Sequence, residues 1–206
     1  MSSVTQTGES IQCPPEGGWE AHYDKAVMFE KLGFDEEATG ILDGLIEEYL
    51  EDPKFLVERG SYANEMGYPQ EALQYYQRAM EFWINDPSTY MGIPIYAGLC
   101  HAYNELGEKR KAMEVALEGL KRFPNEDPIL YQNVAATYFE MGWKDDAREV
   151  LKEGIGKFPE DEDLKQCLKD LNDDLDDPEG GIIATILGLI VLTALSSKRM
   201  RGRRRH

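Results

Sequence analysis

Four stretches of this 206-residue chain end in the same way: Glu30–Gly33, Asn64–Gly67, Asn104–Gly107 and Phe139–Gly142. Each glycine is followed five residues later by an alanine: Ala38, Ala72, Ala112 and Ala147. The glycines lie 34, 40 and 35 residues apart. A period of this length means stacked copies of one supersecondary unit, because a unit this small cannot bury its apolar face alone. The longer middle interval marks a six-residue insertion.

Other positions fall into phase with the glycines. Seven residues before each comes a small residue: Ala26, Gly60, Cys100 or Ala135. Four before comes Phe29, Ala63, Tyr103 or Tyr138. The last two repeats close at Pro124 and Pro159, and the first two have Leu50 and Ile84 at that phase. Small residues let two helices cross closely. Glycine takes the left-handed conformation that ends the first helix, and proline stops the second. Apolar spacing is helical, as in Ala72, Leu73, Tyr76, Ala79 and Met80. No strand-like alternation is sustained.

This pattern resembles the tetratricopeptide-repeat (TPR) family over roughly residues 19–160. The resemblance implies an all-α fold: a right-handed TPR superhelix of four helix-turn-helix repeats, with a capping helix. Four units are expected over 18–160, a cap over 161–171 with Leu164, Cys167, Leu168 and Leu171 at helical spacing, and an acidic linker over 172–181. Residues 1–17 read as a flexible arm without the form of a secretory signal. The insertion, about residues 83–93, reads as an ordered loop or as an extension of the flanking helices.

The remaining segment is different in kind. Residues 182–195 carry no charge, and the uncharged span from Gly180 to Ser197 is 18 residues. At about 1.5 Å per residue this approaches the thickness of a bilayer's hydrocarbon core. A transmembrane helix over 182–197 is expected, followed by a basic tail over 198–206 that suits anionic headgroups through 198–205. The arrangement resembles tail-anchored proteins, with the repeat domain cytosolic. The expected membrane is the mitochondrial or peroxisomal surface in a eukaryote and the inner membrane in a prokaryote. The basic tail runs against this orientation, since positive flanks favour the cytosolic side.

Charge limits the partners. The tail holds six of 22 basic residues, leaving residues 1–197 with 16 basic and 39 acidic groups. A body so acidic is unsuited to nucleic acid and suited to a basic protein segment. No Ser/His/Asp or Cys/His set, phosphate loop or metal-binding spacing is present. Neither catalysis, a cofactor nor a metal is expected. The three cysteines fit a reduced compartment.

The family phase places the peptide-binding groove on the first helix of each unit. Its wall comprises Tyr23 and Val27; Ser61, Asn64 and Glu65; His101, Asn104 and Glu105; and Gln132, Phe139 and Glu140. Asn64 and Asn104 share a phase, and their amides are suited to holding an extended peptide backbone. Glu65, Glu105 and Glu140 form a matching acidic row. The basic clamp by which TPR co-chaperones grip acidic chaperone tails is missing. Its phases carry Tyr23, Val27, Glu58, Pro94 and Gly98, or one unit later Val57, Ser61, Gly98, Ile129 and Asn133. The expected function is a membrane-anchored scaffold or adaptor that binds a peptide or helix. The alternative is a structural or assembly subunit of a membrane complex.

Overall fold

A computed structural model describes residues 18–87 and 89–176. The expected arm, transmembrane segment and basic tail lie outside these residues, as does the second half of the expected linker, 177–181. Nine helices run through the described residues: α1 (Gly18–Lys31), α2 (Asp35–Tyr49), α3 (Pro53–Glu65), α4 (Pro69–Asn85), α5 (Thr89–Glu105), α6 (Lys109–Arg122), α7 (Ile129–Glu140), α8 (Lys144–Lys157) and α9 (Glu162–Asp176). None of them is long and apolar enough to cross a membrane. The chain divides into two compact units, ending at Leu56 and beginning at Val57.

The repeat glycines do what their spacing predicts. Gly33, Gly67, Gly107 and Gly142 have φ between 71° and 81°. Each donates its N–H three residues back, as from Gly142 to the Phe139 carbonyl at 2.8 Å. The next residue donates five back, as from Trp143 to the Tyr138 carbonyl at 2.9 Å. This pair of bonds is the Schellman stop, which satisfies helix-end carbonyls and favours an apolar contact between the two residues that flank it. Phe29 meets Phe34 at 6.0 Å between ring centres, and Tyr138 meets Trp143 at 5.8 Å. The half-exposed Phe34 and Trp143 therefore belong to the turns.

In the first unit α1 packs on α2. Trp19, Tyr23 and Phe55 form an edge-to-face cluster, with Trp19 and Phe55 centres 5.3 Å apart. The Trp19 indole N–H donates to Asp52 at 3.0 Å, so burying this side chain leaves its one donor satisfied.

In the second unit α5 pairs with α6 and α7 with α8, and α7 packs on α5. Small residues admit rings at the crossings. A Cβ on Gly60 would lie 2.9 Å from Tyr76, one on Gly119 2.9 Å from Tyr96, and one on Gly154 2.9 Å from Tyr131. Gly98 is tighter, since its Cβ would fall 2.0 Å from Tyr76 Cζ.

The insertion is taken up by helix. Both α4 and α5 run to 17 residues. Trp83, Tyr96 and Phe123 fasten this extension with ring centres 6.0–6.2 Å apart, and Gly92 gives Trp83 and Phe123 room to approach.

The cap is longer than expected. Asp161 starts α9 by accepting from the Leu164 N–H at 2.9 Å. Leu164, Cys167 and Leu171 bury against Tyr131, Ala147 and Leu151. The helix continues past Leu171 to Asp176, and Arg148 holds the extra turn by donating to Asn172 at 3.1 Å. The acidic stretch from Asn172 thus begins as helix.

Candidate functional site

Within the second unit, equivalent residues of α3, α5 and α7 lie at matching helical phases. Ser61, Asn64 and Glu65 share a face of α3; Ala97, His101, Asn104 and Glu105 share one of α5; Gln132, Ala136, Phe139 and Glu140 share one of α7. Spacings of four, seven and eight residues put side chains on one helical stripe. The exposed groups on these stripes are Glu105 and Glu140, while Ser61, Glu65, Asn104, Ala136 and Phe139 are half-buried.

The two asparagines are fold residues first. Asn64 donates through Nδ2 to the Gly98 carbonyl at 3.0 Å, linking α3 to α5. Asn104 donates through Nδ2 to Thr137 Oγ1 at 3.0 Å, linking α5 to α7. The Thr137 hydroxyl in turn donates a hydrogen bond to the Asn133 carbonyl at 2.9 Å, and the Cys100 sulfur lies 3.4 Å from Thr137 Oγ1. The bonds from the two asparagines span 34 and 33 residues, so this polar ladder follows the repeat itself. The sequence predicts that these amides hold a peptide. The structure commits their N–H groups to neighbouring helices and leaves only their carbonyl oxygens.

Those oxygens are unsatisfied. Among the described residues, Asn64 Oδ1, Asn104 Oδ1, Gln132 Oε1, Asn133 Nδ2 and both ring nitrogens of His101 are buried without a hydrogen-bond partner. His101 is 6 % exposed and Gln132 3 %. Buried polar atoms are rarely left alone, and each costs about 1–3 kcal/mol when it is. Burial holds the His101 pKa below the ordinary imidazole value, with Glu105 pulling the other way. Burial likewise pushes the Cys100 thiol up to about 11, with Thr137 opposing, so it is a packed thiol and not a nucleophile. Tyr76 is raised further by burial, with the Ser61 and Asn64 side chains hydrogen-bonding it in the opposite sense.

Other expected wall residues divide. Tyr23 is a correction: it is fully buried in the aromatic cluster with Trp19 and Phe55 and presents no surface. Val27 is half-buried on α1. The acidic row is uneven, because Lys109 pairs with the Glu140 carboxylate at 3.6 Å and also donates to its carbonyl. No group of three or more potential metal ligands occurs among the described residues. Gln132 lies at the phase the repeat gives to the groove wall and is buried. Asn133 and Thr137 were missed as members of the ladder, and the signal was available: Thr137 lies 33 residues beyond Asn104.

No protein-family model matches this chain, and no curated protein matches it. Solved structures do. A chain of the APC/C hetero-tetramer Cut9–Hcn1 is 21 % identical with a TM-score of 0.58, covering 74 % of this chain and 30 % of its own length. The MamA RS-1 double mutant is 17 % identical with a TM-score of 0.56, covering 89 % of this chain and 98 % of its own. A Podospora anserina chain of nearly identical TPR-like repeats is 15 % identical with a TM-score of 0.61, covering 91 % and 100 %. This chain therefore has an all-α TPR-like repeat fold.

Proposed function

We propose that this chain is a scaffold that receives a segment of a partner protein on the α3, α5 and α7 stripes, while residues 182–197 anchor it in a membrane. One observation carries the binding reading. Polar atoms of Asn64, His101, Asn104 and Gln132 remain unpartnered on the faces that the repeat phase assigns to the groove. These atoms lie just beneath a face on which Ser61, Asn104, Ala136 and Phe139 are half-buried, and that face is what an incoming chain would cover.

The membrane reading rests on the uncharged stretch 182–195 and the basic residues after it. Anchoring confines the scaffold near one surface and raises the local concentration of whatever it holds.

Photo-crosslinking of the full chain in native membranes tests the binding reading. Benzoylphenylalanine at Ser61 or Ala136 should give one discrete protein adduct, and the same probe at Glu149 should give none. Equal adducts from all three positions contradict the groove. For the anchor, alkaline extraction should leave the chain in the membrane pellet, whereas a chain carrying Leu187→Arg and Leu189→Arg should be released. Release of both chains alike contradicts it.

A further inference from the structure

We infer that the outward face of α4 pairs with the same face of a second copy of this chain, antiparallel about a two-fold axis, with Arg78 of each copy against Glu81 of the other. This goes beyond the groove reading and uses none of its residues.

The sequence gives α4 two distinct sides. Ala72, Tyr76, Ala79 and Trp83 are buried on the inner one, and Tyr76 packs over Gly60 of α3 and Gly98 of α5. The opposite side carries Gln74, Arg78, Glu81 and Asn85. Gln74, Glu81 and Asn85 are exposed, and Arg78 is half-buried. These four line one surface groove together with Gln77 and Phe82. A polar outer face is ordinary for a second helix; the order of its residues is not.

Their spacing is four, three and four residues, which is the spacing of a helix–helix seam. It reads the same from either end. A second copy laid antiparallel therefore sets Arg78 opposite Glu81, Glu81 opposite Arg78, and Gln74 opposite Asn85 at each end. An isologous two-fold contact requires this reciprocity. A parallel pair sets Arg78 against Arg78 and Glu81 against Glu81, which repel.

Charge within one copy points the same way. Arg78 and Glu81 stand three residues apart, a spacing at which helical ion pairs form. On α6, Arg122 closes on Glu118 at 2.6 Å; on α8, Lys152 closes on Glu149 at 2.8 Å and Lys157 on Glu153 at 3.0 Å. Arg78 and Glu81 form no ion pair among the described residues. The face thus offers one charge of each sign, and its own reverse matches both. Asn85 gives one N–H to the Glu81 carbonyl at 3.0 Å. Its Oδ1 and second N–H remain to meet the Gln74 amide, which donates and accepts in the same way. Half-buried Phe82 and Ile84, 63 % exposed, border the seam on opposite sides and add apolar area.

The consequence is bivalency. Tyr76 turns the inner side of α4 toward α3 and α5, so the seam faces away from their stripes. The dimer presents two sets of stripes, and a partner with two copies of its segment is held far more tightly than a partner with one.

The test uses the full chain in mild detergent, co-expressed with two different affinity tags. Wild-type copies should co-purify. Arg78→Glu or Glu81→Arg alone gathers charges of one sign at the seam and should lower co-purification at least tenfold, with an unchanged circular dichroism melt. Copies carrying Arg78→Glu mixed with copies carrying Glu81→Arg should recover it, because the facing pairs are again opposite in sign. A chain with both substitutions should recover it too. Disulfides read the direction in a Cys13→Ser background, where Cys100 and Cys167 are buried. Gln74→Cys should link to Asn85→Cys and not to itself, since the two 74 positions stand about 16 Å apart along the seam.

Co-purification that the single reversals leave unchanged overturns the inference and assigns association to another surface, the uncharged segment 182–195 included. Wild-type copies that do not co-purify overturn it as well. So do reversals that fail to rescue each other, and links from 74 to 74. Benzoylphenylalanine at Gln74 in native membranes should give an adduct of twice the chain's mass. An adduct of another mass identifies a different protein on this face and overturns the self-pairing. Probes at Ser61 and Ala136 decide the groove separately, so either reading can fail without the other.

Discussion

The first repeat and the third and fourth solve the same packing problem with different chemistry. At one phase of the repeat the first helix carries Tyr23, and the fourth repeat carries Gln132. Both are buried. Tyr23 joins a ring cluster with Trp19 and Phe55, while Gln132 keeps an unpartnered oxygen. The phase of a residue therefore fixes that it is buried and leaves open whether it packs or binds. Chemistry makes that decision. An aromatic residue is satisfied by burial alone, whereas an amide needs partners for both of its ends.

The largest effect should come from the aromatic side of this comparison. Phe55→Ala removes the ring against which Trp19 and Tyr23 pack. It should cost about 3–5 kcal/mol, measured by urea unfolding with the emission of Trp19 read in a background where Trp83 and Trp143 are replaced by Phe. A loss under about 1 kcal/mol would mean that the first unit is held by something else.

Glycines sharpen the contrast next, because the same substitution should change sign. Gly98→Ala drives a Cβ to within 2.0 Å of Tyr76 and should cost about 1–3 kcal/mol or more. Gly44→Ala in α2 meets nothing within 4 Å and should stabilise by about 0.5–1 kcal/mol through better helix propensity. Thermal melts of the two variants make the comparison.

The ladder should show coupling. Asn104→Leu and Thr137→Val each remove one end of the 3.0 Å bond between α5 and α7. Each should cost about 1–3 kcal/mol, because it strands the other partner. The double variant should be less destabilised than the sum by about 0.5–1.5 kcal/mol. Additive losses would remove the ladder from the account.

The smallest effect is on pH dependence. Burial lowers the pKa of His101 in the folded chain. The unfolded chain then binds more protons as pH falls through the ordinary histidine range near about 6.5. The stability associated with neutral His101 is present above that range and is lost as pH drops through it. His101→Gln should flatten this part of the profile in urea midpoints collected above and below the range. The carboxylates titrate in both proteins, so the difference between the two profiles isolates the imidazole.

Much of the fold was legible because its determinants are local. A left-handed turn needs glycine, a close crossing needs a small residue, and both recur at fixed spacing in the chain. The extent of α9 was harder to read. Asn172–Asp176 look like linker by composition, and only the Arg148 contact to Asn172 shows why the helix continues. The site was half legible. Repeat phase puts His101, Asn104 and Gln132 on the same stripe of successive first helices, but it could not show that Asn64 and Asn104 spend their N–H groups on Gly98 and Thr137. Nor could it show that Lys109 neutralises Glu140. Those are pairings between residues about one repeat apart, and each depends on how neighbouring helices lie.

The central claim is that the unsatisfied face of α3, α5 and α7 is a binding surface. Site-resolved photo-crosslinking in native membranes tests it most directly. The account predicts one protein adduct shared by probes at Ser61 and Ala136, lost when Glu105→Lys and Gln132→Leu are combined, and absent from a probe at Glu149. The same adduct from Glu149, or its persistence in the doubly substituted chain, would contradict it.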